Sequence, residues 1–271
     1  MEKYSRNERI SAITRVMTEH PNKIINLNVF TEMLNAAKSS ISEDLLVVKE
    51  ALGNLSLGKV ETIAGAAGGV RYRGIISPKE SKDFVSGLCK SLNTEERIIA
   101  GFYLYMTDIM WNPDIIHKAA LILSSAFTEK KVDYVVTVET KGIPLAYEVA
   151  RNLGVQLVVV RRDPTVTEGT TVSINYLTGS SKRIQTMSLS KKAMKKGSKC
   201  IFIDDFMKAG GTTIGIIELM KEFESEVIGI GVLIDDVSCE KKMVTDYITL
   251  LDFNGINEQG KIEINPSSLF K

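Results

Sequence analysis

The chain has 271 residues, 44% of them apolar and 25% charged. That composition excludes a wholly disordered chain, and the length sets a prior of about two domains. With 34 Lys and Arg against 33 Asp and Glu, the net charge of +1 does not announce a nucleic-acid binder. No apolar run approaches the ~18 residues a membrane helix needs. Cys89, Cys200 and Cys239 form no CxxC pair, and His20 and His117 are the only histidines. This suits a reducing cytoplasm and argues against a disulfide scaffold or a His-rich zinc site. The opening MEKYSRNERI is charged with no apolar signal region behind it, so a cytoplasmic protein is expected.

In chain order, Ser5-x-x-Glu8 is a capping box, with Ile10, Ile13 and Met17 behind it at helical spacing. Pro21-Asn22 ends that helix. Leu27, Phe30 and Leu34 mark a second helix ending near Ala37, and Lys38-Ser39-Ser40 reads as a short turn. Ser40-x-x-Glu43 is a second capping box, and Ile41, Leu45, Val48, Leu52 and Leu55 form one apolar stripe. Two β-prone runs, 58–63 and 70–73, flank a Gly-Ala-Ala-Gly-Gly tip and predict a hairpin. Three helices and a hairpin describe a winged helix, which binds DNA or protein. On the DNA reading, Lys38, Ser39, Ser40 and Ser42 at the third helix start reach phosphates or base edges. Arg71 and Arg73 leave one face of the second wing strand. Lys59, on the first strand, joins them as a DNA-binding candidate, and the stripe suits a DNA backbone or minor groove. Residues 1–74 hold ten bases and eight acids, a mild +2.

After a boundary near 74–78, Ser77-Pro78-x-Glu80, Asn93-Thr94-Glu95-Glu96 and Trp111-Asn112-Pro113-Asp114 each open a predicted helix. The third runs to about Phe127. Strands and helices then alternate: strand 132–138, helix 143–152, strand 155–160, strand 200–204, helix 213–223, strand 227–234. This predicts an α/β domain over 75–271, with parallel strands and helices on both faces. Between Gly169 and Ile203 there is no acid but seven bases: Lys182, Arg183, Lys191, Lys192, Lys195, Lys196 and Lys199. The stretch is either a solvated, mobile loop or a docking surface for phosphates that assists DNA binding.

The segment 201–213 carries the chemistry. A buried strand ends in Asp204-Asp205, and Phe206-Met207-Lys208-Ala209-Gly210-Gly211-Thr212-Thr213 leads into a helix. The helix N-terminus with its free amides is an anion site, glycines admit a phosphate to the backbone, and two carboxylates suit a vicinal diol. A ribose 5-phosphate fits that pair of features. The spacing is not that of a Walker loop.

This segment resembles the phosphoribosyl pyrophosphate (PRPP) motif of type I phosphoribosyltransferases, with Ala209 where threonine is common and Lys208 where a small residue is common. The resemblance extends to Glu139-Thr140-Lys141-Gly142, placed where that family binds pyrophosphate. Across essentially all 271 residues the chain is similar to the purine operon repressors of Gram-positive bacteria. That resemblance implies a cytoplasmic homodimer, a repressor of purine synthesis genes, with PRPP as the effector that lowers DNA affinity. It also implies a tyrosine reaching the ligand from ahead of the core. Tyr103 matches, although an aromatic packed among Phe102 and Tyr105 is an equal reading. Mg²⁺ normally accompanies PRPP, and the alarmone ppGpp, also a ribose pyrophosphate, is a competitor for the same loop.

The phosphate loop accounts for affinity, not for transfer to a base. Transfer also needs a base pocket and a closing loop. The stretch 169–199 occupies that loop's place, and a base-covering hood falls in 250–271, where Phe253 and Asn254 could face a base. Three functions stay open: a repressor sensing PRPP without catalysis, an active purine phosphoribosyltransferase with a regulatory appendage, and a PRPP sensor whose N-terminal domain binds protein. The resemblance favours the first.

Overall fold

The structure is a computed structural model that describes residues 3–65, 68–99, 103–163, 166–178, 183–257 and 261–270. Lys182 of the basic stretch, Phe102 beside Tyr103, the tip pair 66–67, and residues 258–260 and 271 of the expected hood lie outside them. The chain divides into two compact units, one built on Met1–Ser77, the other on Pro78–Ala150 and Val155–Lys271. No helix among the described residues is long and apolar enough to cross a membrane.

In the first unit, α1 (Arg6–Glu19) starts on the expected capping box: the Glu8 amide donates to Ser5 Oγ, and the Ser5 amide to the Glu8 carboxylate. α2 (Leu27–Leu34) is capped by Asn26 and stopped by Asn35 at φ 44°, three residues short of the sequence expectation. α3 (Lys38–Asn54) begins at Ala37, which has no capping side chain, so the Ser40–Glu43 capping box does not form. Lys38, Ser39 and Ser40 occupy the first turn of α3 instead of a loop, because the left-handed Asn35 completes the turn in fewer residues. Ile41, Leu45, Val48 and Leu52 bury the α3 stripe against Ile13, Met17, Phe30 and Leu34. Leu55, the helix C-cap, is 68% exposed and does not join them.

β1 (Lys59–Ile63) and β2 (Gly69–Arg73) form the antiparallel wing, register Lys59 with Arg73 and Glu61 with Arg71. Ile25 bridges to Val70 on the other edge of β2. A Cβ at Gly69 would lie 2.1 Å from the Ile25 carbonyl oxygen. This glycine is therefore dictated by a close backbone approach, not by the hairpin tip.

The second unit opens with α4 (Pro78–Leu92). The helix expected at Asn93–Glu96 is only a 3₁₀ turn, Glu95–Arg97, followed by a small ribbon of β3 (Ile98–Ile99) and β4 (Tyr103–Leu104). Then come α5 (Thr107–Met110), α6 (Pro113–Ser125), β5 (Tyr134–Val138), α7 (Ile143–Leu153) and β6 (Gln156–Val160). β7 (Thr171–Leu177) and β8 (Ile184–Ser190) follow, then β9 (Lys199–Met207), α8 (Gly211–Glu222), β10 (Glu226–Asp236), β11 (Ile248–Ile256) and β12 (Ile262–Pro266). The main sheet has the order β12-β11-β10-β9-β5-β6 and is parallel except for β12. Ile216, Leu219 and Met220 of α8 pack on one face with Val136, Phe202 and Val232. On the other, Leu123 and Phe127 press where β10 carries Gly229 and Gly231.

Two sequence expectations change here. The basic stretch is not a free loop: β7 and β8 pair residue for residue from Thr171–Ser190 to Leu177–Ile184, and Tyr176 and Met187 join the α8 core. One of its lysines is opposed: Lys196 forms an ion pair with Glu224 at 2.6 Å. Lys199 starts β9 with its backbone amide donating to Asp133 at 2.9 Å. Glu224 comes from a distant part of the sequence, so no linear count of charge sees it. The hood span, 250–271, contributes β11 and β12 to the main sheet itself.

Candidate ligand crevice and nucleic-acid face

The crevice follows from the topology. β5 leads to β6 on one side of itself, while β9, on its other side, leads to β10; the direction of winding reverses between β5 and β9. The two strands pair at Tyr134–Cys200, Val135–Ile201 and Val136–Phe202 only. Beyond, β5 stays with β6 to Val138–Val160 and β9 stays with β10 to Met207–Asp235. A crevice opens at the carboxyl ends of the strands, at the switch point where such sheets hold ligands.

Two loops flank it. The loop 139–142 follows β5, with a cis peptide between Glu139 and Thr140. A Cβ on Gly142 would lie 2.6 Å from Asp204 Oδ1 and 2.7 Å from Thr137 Oγ1, so only glycine lets this loop close on β9. Thr140 and Lys141 are exposed. The second loop, 208–210, enters α8 through Gly210 at φ 88°. The first α8 hydrogen bond runs from the Ile214 amide to the Gly210 carbonyl, leaving the amides of Gly211, Thr212 and Thr213 without helical partners.

Two lobes share this crevice. One, about 570 Å³, is lined by Glu139, Thr140, Lys141, Arg162, Asp163, Asp204 and Asp205. The other, about 420 Å³, is lined by Tyr103, Arg162, Thr178, Gln185, Asp204 and the run from Phe206 to Thr213. Asp204, Phe206, Arg162 and Thr212 border both. Apart from Gly142, which is buried behind the loop, the predicted ligand residues line this one crevice, Tyr103 included, and Tyr103 is 68% exposed there rather than buried as a packing aromatic.

Individual roles differ from the expectation. Strand β9 runs through both acids to Met207 instead of ending at them. The Asp205 amide donates to Asp204 Oδ1 at 2.9 Å. Burial, reinforced by the neighbouring Asp205 charge, pushes the Asp204 carboxyl well above the usual carboxylate range, and Arg162 only partly opposes this. Glu139 does not project its carboxylate into the crevice unpaired. It accepts from the Arg162 amide at 2.7 Å and from Arg161 at 3.3 Å, and so fixes the turn that presents Arg162. Thr213 Oγ donates to Met207 Sδ at 3.6 Å, so its hydroxyl is turned inward and only its amide serves the crevice. Phe253 stands 6.2 Å from Phe206, ring to ring, and neither Phe253 nor Asn254 lines a lobe.

Sequence reasoning missed Arg162, Asp163, Thr178 and Gln185. Arg162 was signalled by its place just past a predicted parallel strand. Thr178 and Gln185 had no signal, since only the β7–β8 pairing brings them over the loop. Thr137, buried on β5, has a hydroxyl without a hydrogen-bond partner among the described residues.

On the first unit, Lys38, Ser39 and Ser42 are exposed and Ser40 is half-buried at the uncapped start of α3. Ser42 spends its hydroxyl proton on the Lys38 carbonyl at 2.9 Å. The wing arginines do share a face, and Lys59 lies opposite Arg73 on it. They do not form an open stripe, because Glu61, which the sequence reading left out, sits among them. Its carboxylate is 2.7 Å from Arg71, 3.0 Å from Lys59 and 3.4 Å from Arg73. Burial works against that charge, yet the hydrogen bonds from Arg71 and Lys59 and the field of Arg73 outweigh it and hold the Glu61 pKa low. Elsewhere in the unit, buried Asp44 of α3 is held by Arg9 at 2.7 Å and Arg6 at 3.4 Å.

A winged-helix unit followed by a parallel sheet, with an acid pair and a glycine-threonine loop at its switch point, defines a regulator-type protein built on a phosphoribosyltransferase fold. Residues 5–74 match the family described as bacterial purine repressor, N-terminal, and residues 107–263 match the phosphoribosyl transferase domain. The chain is 46% identical over 270 residues to the purine biosynthesis transcriptional repressor of Bacillus subtilis, covering 99% of this chain and 95% of that protein. It is 38% identical over 266 residues to the purine biosynthesis transcriptional activator of Lactococcus lactis, covering 98% of each. The adenine phosphoribosyltransferase structure from Thermoanaerobacter pseudethanolicus shares the fold, with TM-score 0.52 and 21% identity over 62% of this chain and 99% of that one. The chain belongs to the bacterial purine-repressor family.

Proposed function

We propose that this protein is a DNA-binding transcriptional repressor of purine biosynthesis genes, acting in the cytoplasm as a homodimer, whose DNA affinity falls when PRPP occupies the crevice. One observation carries the ligand: the acid pair stands between a phosphate loop and a second anion lobe. That is the order of groups in PRPP, with the 5-phosphate at Lys208–Thr213, the ribose hydroxyls on Asp204 and Asp205, and the pyrophosphate at Thr140–Gly142 with Arg162. Tyr103 closes the phosphate side. Among the described residues no cluster of three or more His, Cys, Asp or Glu is set to hold a metal. Mg²⁺ would arrive on the oxygens of PRPP, with the acid pair as the hard carboxylate partner the protein adds, and would supply charge neutralisation of the pyrophosphate. The alarmone ppGpp competes for the same two lobes.

DNA is held by the α3 start and the wing. Identity to the Bacillus protein, higher than to the Lactococcus activator, supports repression. PRPP lowers DNA affinity only if it prefers the DNA-free form, and the coupling is reciprocal. Binding without catalysis is supported by Phe253, whose ring is spent on Phe206, and by the β7–β8 hairpin, packed on α8 where a transferase needs a closing loop. A gel shift on a purine-operon control region, with and without PRPP, tests the reading. Retained DNA binding at saturating PRPP defeats it. Steady nucleotide formation from PRPP with adenine, guanine, hypoxanthine or xanthine establishes the alternative, an active transferase with a regulatory appendage. That alternative draws on the match to the phosphoribosyl transferase domain.

A further inference from the structure

The phosphate loop has an outer side toward the crevice and an inner side whose carbonyls must also be satisfied. A segment between β10 and β11 does this. Lys242 Nζ donates to the Lys208 carbonyl, to Asp235 Oδ1 at the end of β10, and to the Asp236 carbonyl. The Met243 amide donates to the Ala209 carbonyl at 2.8 Å. Val244 backs Gly210, 3.4 Å from where a Cβ would stand. Three consecutive loop residues are thus held from behind by three consecutive residues of another segment.

The anchor is itself fixed. An ammonium has three N–H donors, and Lys242 has one acceptor for each. Asp235, buried, receives Lys242 on one oxygen and the Tyr247 hydroxyl on the other at 2.9 Å. Burial and the Asp235 hydrogen bond keep that hydroxyl protonated well past its ordinary range, so it remains the donor. With two loop carbonyls drawn inward, peptide geometry leaves the loop's amides facing the crevice.

We propose that Lys242, buttressed by Asp235 and Tyr247, is a positioning residue that holds the 208–213 loop ready for a phosphomonoester. It acts through the loop backbone and does not touch the ligand. The inference rests on reading 208–213 as the phosphomonoester lobe and 139–142 as a separate pyrophosphate lobe.

The test is calorimetric titration of the full chain with ribose 5-phosphate and, separately, inorganic pyrophosphate, for wild type, Lys242→Met, Lys242→Arg and Tyr247→Phe. Lys242→Met is expected to weaken ribose 5-phosphate on the order of tenfold, about 1.4 kcal/mol. Pyrophosphate affinity stays unchanged, Lys242→Arg recovers part of the loss, and Tyr247→Phe shows a smaller loss with the same selectivity. Hydrogen exchange at the amides of 209–213 rises in Lys242→Met, while that of 140–142 does not. Wild-type affinity for ribose 5-phosphate in Lys242→Met, or an equal loss of both ligands, overturns the proposal. If Lys242→Met does not fold, Tyr247→Phe decides, and unchanged ribose 5-phosphate affinity there overturns it. Wild type that binds neither ligand refutes the crevice reading itself, which is a different result.

Discussion

The wing and the crevice treat charge in opposite ways. On the wing, Glu61 gathers Lys59, Arg71 and Arg73, and its own pKa is held low. In the crevice, Asp204 and Asp205 stand side by side on one strand, and the Asp204 carboxyl is pushed up. The first arrangement lowers the energy of the folded chain. The second disfavours ionisation of the pair, and the Asp204 carboxyl answers by holding its proton to higher pH. On the wing one counter-ion keeps three cations ordered, whereas in the crevice two adjacent acids leave one carboxyl favouring its protonated form.

The comparison breaks most severely at Asp44, where opposite charges meet in the interior of the first unit. Arg9→Met leaves that buried carboxylate to Arg6 alone, and unfolding of the first unit should become easier by about 3 kcal/mol. Denaturant titration followed by hydrogen exchange in α1 and α3 reads it.

Asp204→Asn sharpens the crevice side. It keeps the acceptor for the Asp205 amide and deletes the strained charge. PRPP affinity should fall by roughly 1.5–3 kcal/mol, the contribution of charge-assisted bonds to the ribose hydroxyls. DNA binding without PRPP should persist, giving a repressor deaf to its effector, scored by gel shift. The same substitution should raise the melting temperature of the second unit. Because the folded pKa of Asp204 is raised, the folded state holds a proton that the unfolded state has lost, and stability declines as pH rises from the ordinary carboxylate range through that raised pKa. Fluorescence of Trp111, the chain's one tryptophan, follows this unit, and the decline should flatten in Asp204→Asn.

Gly142→Ala drives a methyl into Asp204 and Thr137 and should cost about 1–3 kcal/mol of stability. It should also weaken pyrophosphate more than ribose 5-phosphate. Equal loss of both would mean that the two lobes are one rigid site.

Glu61→Gln should have the smallest effect on stability, below about 1 kcal/mol because the cluster is partly exposed. It frees cations, so the salt dependence of DNA binding should steepen by about one unit. Its pH signature is the inverse of Asp204. With the folded pKa of Glu61 depressed, its contribution is present above the ordinary carboxylate pKa and is lost as pH falls through the folded value. Neutralising Lys191, Lys192, Lys195 and Lys196 together should lower the salt slope by no more than about three units, because Lys196 already pairs with Glu224. An unchanged slope and affinity would remove that stretch from the DNA contact.

Much of this was legible in the linear chain, and the misses share a cause. The α1 capping box, the α3 stripe as far as Leu52, the alternation of strands and helices, and the order of acids, glycines and threonines in 204–213 are local patterns. Local hydrogen bonds and burial periodicity enforce them directly. The β7–β8 hairpin was legible too, since Val172, Ile174 and Tyr176, and Met187 and Leu189, alternate with polar residues at strand spacing; the run of bases drew attention to charge instead. Glu61 is not legible as a counter-ion in the linear chain, because its partners on β2 lie ten and twelve residues along and only the wing register brings them beside it. Glu139 does line the crevice, and only the folded chain shows its carboxylate accepting from Arg161 and from the Arg162 amide.

The sequence by itself determined the two-part architecture and the order of acids, glycines and threonines in 204–213, since each is a run of neighbours set by local pattern. Only the tertiary structure decided which charges remain available. Pairing across strands places Glu61 among the wing arginines, and the parting of β5 from β9 brings Gly142 against Asp204. The turn of 242–244 behind the phosphate loop ties down its carbonyls. The energy of a charge or a buried carbonyl is set by the few ångströms around it, and those ångströms are filled by residues far away in the chain.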